Sequence, residues 1–266
     1  MKLPTNFMGY DGKKELEKIE NEKEPENNLE KKVNFPIISF SGDLSFVTDE
    51  TFYKEIINYL DKTFPAHQNV LSSNLKFESN VMKGSNTYIA TAVDMYLKSI
   101  NSEYRLATQL DLEQNLKFTA DTYNDSGLAL RNLKKANKDQ AIYLFNQLRK
   151  KGLTEKDFPL WFNLRGLNLD NNLNFNLTDE SFYKKVESLN WKNGTSFSKI
   201  DAFGLPKEED KTSSRQIWTS DNALSRCYLN WGSDLGSDDS GLSYSYDDGR
   251  VVLAKPKFKK ISGGSN

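Results

Sequence analysis

The chain has 266 residues and a mass of 30.5 kDa, enough to bury one large hydrophobic core or two smaller ones. A formal net charge of -1 and a pI near 6.0 lack the basic excess typical of nucleic-acid-binding proteins, so we expect no nucleic-acid partner. The single cysteine, Cys227, excludes an intramolecular disulfide and any multi-cysteine metal cage, and we expect neither a metal nor a cofactor.

The two ends of the chain are predicted to be tails. Residues 11–32 alternate Lys and Glu, and Pro25 interrupts any helix, so we expect residues 1–34 to form a charged flexible tail and residues 259–266 a second one. No apolar run is long enough for a signal peptide or for the roughly 20 residues of a membrane span. We therefore expect no membrane insertion and a location inside the cell or on a virion.

Residues 35–258 are predicted to form one α+β domain. An apolar run over 35–42 predicts a first strand, and Thr48 or Asp49 should cap a helix that begins at Glu50. Further helices are expected from about 87 to 100 and from about Asp139 to Gly152. The side chains expected to face inward from these three helices are Phe52, Ile56, Tyr59, Leu60, Ile89, Val93, Tyr96, Leu97, Ile100, Ile142, Phe145 and Leu148.

The middle of the chain suggests a hairpin. Two alternating runs, 159–169 and 173–177, are joined by "DNN", which predicts antiparallel strands. The segment from Asp170 supplies oxygen ligands at alternate positions but lacks the glycine and the final glutamate of a calcium loop. The core Thr-Asp-Glu-x-Phe-Tyr-Lys occurs twice, after Phe46 and after Phe175, which leaves open either a duplicated unit or two independent helix starts.

The residues needed for common enzyme chemistry are largely missing. His67 is the only histidine, it lies beside Pro65 in an expected loop, and nothing near it resembles a nucleophile elbow. Glycine-rich phosphate loops are absent from the sequence as well. The adjacent carboxylates at 238–239 and 247–248 would point to opposite sides of an extended chain, which favours solvated loop charges over acid–base catalysis. We therefore expect no enzymatic activity.

The C-terminal region has an unusual composition. Between Lys211 and Lys255 there is neither Lys nor Glu, and 23 of the 30 residues from Ser220 to Gly249 are Asn, Asp, Ser, Gly, Tyr or Cys. An Asn codon, AAC or AAT, yields each of these six residues when only its adenines change. A skeleton of spaced leucines, together with Val251 and Val252, predicts short strands and turns anchored to a core; the leucines are Leu224, Leu229, Leu235 and Leu242.

This window resembles the C-terminal variable region of target proteins of diversity-generating retroelements, in which a reverse transcriptase copies a template repeat and randomises its adenines. Four other stretches resemble archaeal and small-genome members of that group: "KGSNTYIATAVDMYLK", "LATQLDLEQNLKF", "YNDSGLALRN" and "GLNLDNNLNFNLTDE". The resemblance implies a C-type lectin fold of the formylglycine-generating-enzyme subtype, with short irregular strands, a few helices and a variable ligand-binding region at about 220–250. The ligand would be a variable protein or another macromolecule.

The resemblance also assigns roles to individual positions. The residues expected to be fixed framework are Leu224, Arg226, Leu229, Leu235, Leu242, Gly249 and Arg250. The residues expected to vary and to face the ligand are Cys227, Tyr228, Asn230, Trp231, Gly232, Asp234, Gly236, Asp238, Asp239, Ser240, Gly241, Tyr244, Tyr246 and Asp247. Trp231 cannot arise from AAC or AAT by adenine change, so either its template codon differs, as AAG would, or Trp231 is fixed.

The chemistry of the window agrees with a binding surface. Tyr and Trp give rigid contact area, and Ser, Gly, Asn and Asp give adaptable hydrogen bonds, as in an antibody paratope. Between Lys211 and Lys255 the chain carries three Arg and six Asp, a net charge of -3 that favours a basic partner. Two alternatives stay open from the residues alone: an α+β protein with an ordinary polar C-terminal loop, and a formylglycine-generating type of enzyme, although that chemistry uses more than one cysteine.

Overall fold

The structure, a computed structural model, describes residues 6, 7, 10, 11 and 43–255, and the chain divides into two compact units, residues 1–36 and 37–266. In the first unit, β1 (Asn6–Phe7) and β2 (Tyr10–Asp11) pair antiparallel. The expected strand over 35–42, the Lys/Glu segment 11–32 beyond Asp11 and the tail 259–266 lie outside the described residues.

The second unit begins with two helices and four short strands. Its elements are β3 (Asp43–Phe46), α1 (Glu50–Thr63), β4 (Lys76–Glu78), β5 (Val81–Lys83), α2 (Thr87–Ser99) and β6 (Arg105–Leu106). The Asp49 carboxylate accepts the N–H of Phe52 at 2.8 Å and caps α1, as the sequence predicts. The last strand, β16 (Val252–Lys255), lies between β3 and β6 and joins them into one antiparallel sheet.

A larger sheet of seven strands forms the centre of this unit. The helices and strands between β6 and β16 are α3 (Gln109–Glu113), α4 (Leu116–Thr119), β7 (Asn124–Leu130), α5 (Lys138–Arg149), β8 (Leu160–Asn163), β9 (Leu167–Leu169), β10 (Phe175–Leu177), β11 (Tyr183–Lys185), β12 (Thr195–Ser196), β13 (Gln216–Thr219), β14 (Leu224–Leu229) and β15 (Leu235–Ser237). The strand order is β11-β8-β7-β14-β15-β13-β12, and only β13 and β15 run parallel. The described unit is therefore α+β, with a mixed central sheet.

The fold confirms several expectations and corrects others. Strands β9 and β10 form the predicted hairpin, with Leu169 opposite Phe175. Ile142 and Ile100 were expected to face inward but are 39% and 47% exposed, because one lies on the solvent side of α5 and the other follows the end of α2. The second Thr-Asp-Glu motif is followed by the strand β11 and not by a helix, so the two motif copies adopt different structures and a duplicated unit is not supported.

The central strands β7 and β14 carry the site. Every residue of both strands is buried, and β14 lies between β7 and β15 in the sheet. Cys227 and Leu229 point into the main core together with Trp161 and Ile217. Because side chains alternate along a strand, Arg226 and Tyr228 point to the opposite face, which the C-terminal loop covers. We call residues 238–250 the C-terminal loop.

Candidate functional site

A buried ion pair forms the floor of the site. Arg226 on β14 donates from Nε and Nη2 to the two carboxylate oxygens of Asp125 on β7, at 2.8 and 2.6 Å. The two side chains are 0% and 1% exposed. Burial disfavours the charged guanidinium, but Asp125 first, and then Asp239 and Tyr228, more than offset this, so the pKa of Arg226 is raised and the group stays charged.

The C-terminal loop is held mainly through its backbone. Carbonyl groups along one side of the loop accept hydrogen bonds from groups of the surrounding framework. The donors and their acceptor carbonyls are Asn222 Nδ2 to Asp238 (2.8 Å), Arg226 N to Asp239 (3.0 Å), Asn137 Nδ2 to Ser240 (2.7 Å), Thr87 N to Leu242 (3.2 Å), Asn86 Nδ2 to Ser243 (3.0 Å) and Arg226 Nη1 to Tyr244 (2.9 Å). Because backbone carbonyls are common to all residues, these six bonds do not depend on the side chains that the loop carries.

Aromatic rings cover the Arg226 floor. We call Tyr123, Tyr228, Trp231, Tyr244 and Tyr246 the aromatic cluster. Tyr123 lies at its centre, with ring-centre distances of 4.3 Å to Tyr246, 5.5 Å to Tyr228 and 6.5 Å to Trp231. Tyr244 meets Tyr246 edge to face at 4.8 Å. The Arg226 guanidinium lies 5.1 and 5.4 Å from the ring centres of Tyr228 and Tyr246 on the inner side.

Exposure differs sharply within the aromatic cluster. Trp231 and Tyr244 are 61% and 58% exposed, which is unusual for residues of their size, whereas Tyr228 is only 7% exposed. Trp231 lies on a 3-10 turn, Trp231–Ser233, in which Gly232 has a φ of +76°. This positive φ favours glycine, although a Cβ atom there would meet no atom within 4 Å.

The carboxylates of the loop lie close to the phenol groups. Tyr228 and Tyr246 approach Asp238 and Asp239 with O–O distances of 3.4 and 3.5 Å. Burial and then the charge of Asp239 raise the pKa of Tyr246 to about 12, and burial and then Asp238 raise that of Tyr228. All these phenols are therefore neutral at physiological pH and available as hydrogen-bond donors.

Most of the expected ligand-facing residues do lie on one surface. Those that are exposed or partly exposed and border the aromatic cluster or the loop are Asn230, Trp231, Gly232, Asp238, Asp239, Ser240, Gly241, Tyr244, Tyr246 and Asp247. Asn230 is partly exposed, and its side-chain oxygen is buried without a hydrogen-bond partner among the described residues. All four skeleton leucines are buried, as the pattern predicts, and so is Gly249, whereas Arg250 is only partly buried.

Four expected ligand-facing residues do not fit that role. Cys227 is completely buried in the main core, because it alternates with Arg226 and Tyr228 along β14. Tyr228 is buried under the loop and Gly236 lies beneath its ring. The Asp234 carboxylate accepts hydrogen bonds from the backbone N of Gln216 at 2.7 Å and from Trp218 Nε1 at 3.0 Å, so it anchors β13. These four positions support the surface from below or from the side.

Two residues of the site were not assigned from the sequence. Asp125 could have been found, because a carboxylate directly before the small and apolar run "SGLAL" and a lone arginine in "LSRCYL" suggest a buried ion pair. Tyr123 gave no such signal. It reaches the aromatic cluster only because its backbone pairs with Gly249 and Arg250, a contact between distant parts of the chain.

The site has few features of catalytic or metal chemistry. Among the residues that the structure describes, no group of three or more His, Cys, Asp or Glu side chains could hold a metal ion. His67 contacts the carbonyl of Asn171 at 2.9 Å.

None of the helices within the described ranges is long and apolar enough to span a bilayer. No family model, curated protein or solved structure matches the chain.

Proposed function

We propose that this protein is a ligand-binding display protein whose C-terminal surface is diversified by adenine-specific mutagenic retrohoming. The ligand is a protein or another macromolecule, and the role is binding rather than catalysis. We also propose that the α+β unit is a C-type lectin fold of the formylglycine-generating-enzyme subtype. The proposal rests on the codon-related alphabet of residues 220–249 together with the geometry of the surface that these residues form.

The observation that carries the proposal is the way in which the C-terminal loop is held. A diversified segment has to tolerate many side chains without losing its shape. The loop meets this condition, because its carbonyl groups are bound by Asn86, Asn137, Asn222 and Arg226, while Ser243, Tyr244 and Asp247 project from it into solvent. This anchoring keeps the shape of the loop independent of the side chains that it carries.

The surface itself has the composition of a recognition site. Exposed Trp231 and Tyr244 provide rigid contact area at low entropic cost, and the neighbouring Ser and Asp side chains provide adaptable hydrogen bonds. Large exposed aromatic residues are enriched at the centres of protein interfaces. The surface is therefore suited to bind a macromolecule without any change in the fold beneath it.

The test is to sequence the 3′ end of this gene, with its flanking DNA, from many individuals of the source population. We expect substitutions to concentrate in the codons of the surface residues, to occur only where a nearby repeat has adenine, and to spare Leu224, Arg226, Leu229, Leu235 and Leu242. Codon 231 would show whether Trp231 is fixed. A window no more variable than the codons of α1 and α2 would refute the proposal.

A further inference from the structure

The charges around the aromatic cluster are unbalanced. Asp247 has a fully exposed side chain and meets Lys76 only at 3.7 Å, and the structure shows no salt bridge for Asp238 or Asp248 among the described residues. The two nearest arginines are already engaged within the chain, and Arg250 is partly exposed: burial lowers its pKa, and the charge of nearby Asp248 opposes that effect. Arg226 is paired with Asp125, and Arg250 donates to the carbonyl groups of Asp247 and Gly249 at 3.0 and 2.7 Å.

The rings and carboxylates of this surface already bind one guanidinium. Arg226 lies against the inner faces of Tyr228 and Tyr246, with the Asp239 carboxylate at 3.5 Å from its Nη1. A planar guanidinium stacks on aromatic rings and pairs with carboxylates, whereas an ammonium group is more strongly hydrated and does so less well. On the outer side, Trp231 and Tyr244 present the same chemistry to solvent, and no cation of the described chain covers them.

We propose that the partner of this surface is a basic protein segment that docks through arginine side chains on Trp231 and Tyr244, with Asp238, Asp247 and Asp248 as its counter-charges. The inference rests on the proposed binding role of the surface and names the chemistry of its partner. The carboxylates also act on the phenol groups. Burial and then the charge of Asp248 raise the pKa of Tyr123, burial and then the charge of Asp239 raise that of Tyr246, and the Arg226 charge opposes both effects. The exposed carboxylates beside the cluster are suited to attract a cationic partner.

The experiment measures binding of three labelled nine-residue peptides, of arginine, lysine and glutamate, to the full chain by fluorescence anisotropy. At low ionic strength, about 50 mM, we expect the arginine peptide to bind at least about five times more tightly than the lysine peptide and the glutamate peptide not to bind. Affinity for the arginine peptide should fall when salt is raised. Equal affinity for the two basic peptides would overturn the proposal, because charge alone would then explain binding.

Variants locate the binding to this surface. Asp247→Asn combined with Asp248→Asn should weaken arginine-peptide binding about tenfold, and Tyr244→Ala or Trp231→Ala about threefold or more. The matched control, Glu155→Gln with Glu208→Gln, removes the same charge from exposed residues outside the loop and should leave the affinity unchanged. An equal loss in the control would overturn the proposal. So would the absence of arginine-peptide binding, and neither result would bear on the codon variability that tests the display function.

Discussion

At the scale of single residues, Tyr228 and Gly236 are coupled by their contact. The two residues face each other across β14 and β15, and a Cβ atom at position 236 would lie 2.2 Å from Cζ of Tyr228. The Tyr228 ring is buried between Arg226 and the sheet, so it cannot swing away without exposing apolar surface. A large residue at 228 therefore requires glycine at 236.

This coupling can be measured with a double-mutant cycle. Gly236→Ser should lower the free energy of unfolding by about 1–3 kcal/mol through overpacking, and Tyr228→Ser by about 2–4 kcal/mol through lost burial. In the Tyr228→Ser background the Gly236→Ser change should cost less than about 0.5 kcal/mol, as measured by urea denaturation.

Tyr244→Ala is the matched control for the tyrosine truncation. Because its ring is 58% exposed, the free energy of unfolding should change by no more than about 0.5 kcal/mol. Strictly additive losses in the cycle would show that positions 228 and 236 vary independently.

At the scale of elements, the Arg226–Asp125 pair joins β14 to β7 and to the C-terminal loop. Besides binding Asp125, Arg226 donates to the carbonyl of Tyr244, and Asp125 lies within 3.4 Å of Ser85 Oγ, just before α2. One buried ion pair thus connects two strands, the start of a helix and the loop. Such a pair is expensive to break, because removing one partner leaves the other charge buried and uncompensated.

Asp125→Leu should therefore lower the free energy of unfolding by about 3–5 kcal/mol, whereas Asp125→Leu combined with Arg226→Met should recover most of that loss. In the double variant, apolar side chains fill the space of the ion pair, but the guanidinium that donates to the carbonyl of Tyr244 is lost. We expect its loop amides, such as those of Gly241 and Tyr244, to exchange with solvent faster than in the unmodified protein.

Hydrogen exchange followed by mass spectrometry checks this second expectation. The control replaces the exposed pair Lys54–Glu50 on α1 with Met and Gln, and it should alter neither the stability nor the exchange of the loop. Unchanged loop exchange in the Asp125/Arg226 double variant would show that Arg226 does not position the loop.

At the scale of the whole molecule, the ionisable thiol of Cys227 lies in the main core, where water cannot reach it. Burial raises the pKa of Cys227 to about 11, although the nearby Arg131 charge and the contact with Ser237 oppose this effect. In the unfolded chain the thiol ionises near its usual value of 9.0. Between these two values the unfolded state binds fewer protons than the folded state, so stability is complete below about pH 9 and falls as the pH rises towards about 11.

The thiol should contribute a loss on the order of 2 kcal/mol over that interval. Urea unfolding between about pH 8.5 and 11 measures the loss, and Cys227→Ala should give a flatter curve even if it is less stable at neutral pH. The buried tyrosines ionise in both proteins, so the difference between the curves isolates the thiol. Parallel curves would show that Cys227 does not titrate on unfolding.

The sequence predicted the fold best where the spacing of apolar residues corresponds to a buried face of a helix or strand. The Asp49 cap of α1, the β9–β10 hairpin and the burial of the spaced leucines follow from local patterns, and the structure confirms them. The α+β class follows from the irregular mixture of helices and strands. The parallel pairing of β13 with β15 could not be predicted, because it depends on contacts between segments that no local signal connects.

The candidate site was predictable in part. The composition identified residues 220–249 as a candidate surface, but it did not show which of these residues are buried. Recognising 224–229 as a strand would have shown that Cys227 and Tyr228 cannot face the same ligand, because neighbouring side chains alternate. Tyr123 and the roles of Asn86 and Asn137 as loop anchors depend on distant pairing and were beyond any reading of the window alone.

The position of β16 has a consequence for the synthesis of the protein. This strand follows the C-terminal loop in the chain, it is buried from Val252 to Ala254, and it joins β3 to β6. A copy with a stop codon or a frameshift within residues 220–250 lacks β16, and the small sheet cannot close. We therefore expect truncated products to be degraded by proteases, so that only chains translated through residues 220–250 accumulate.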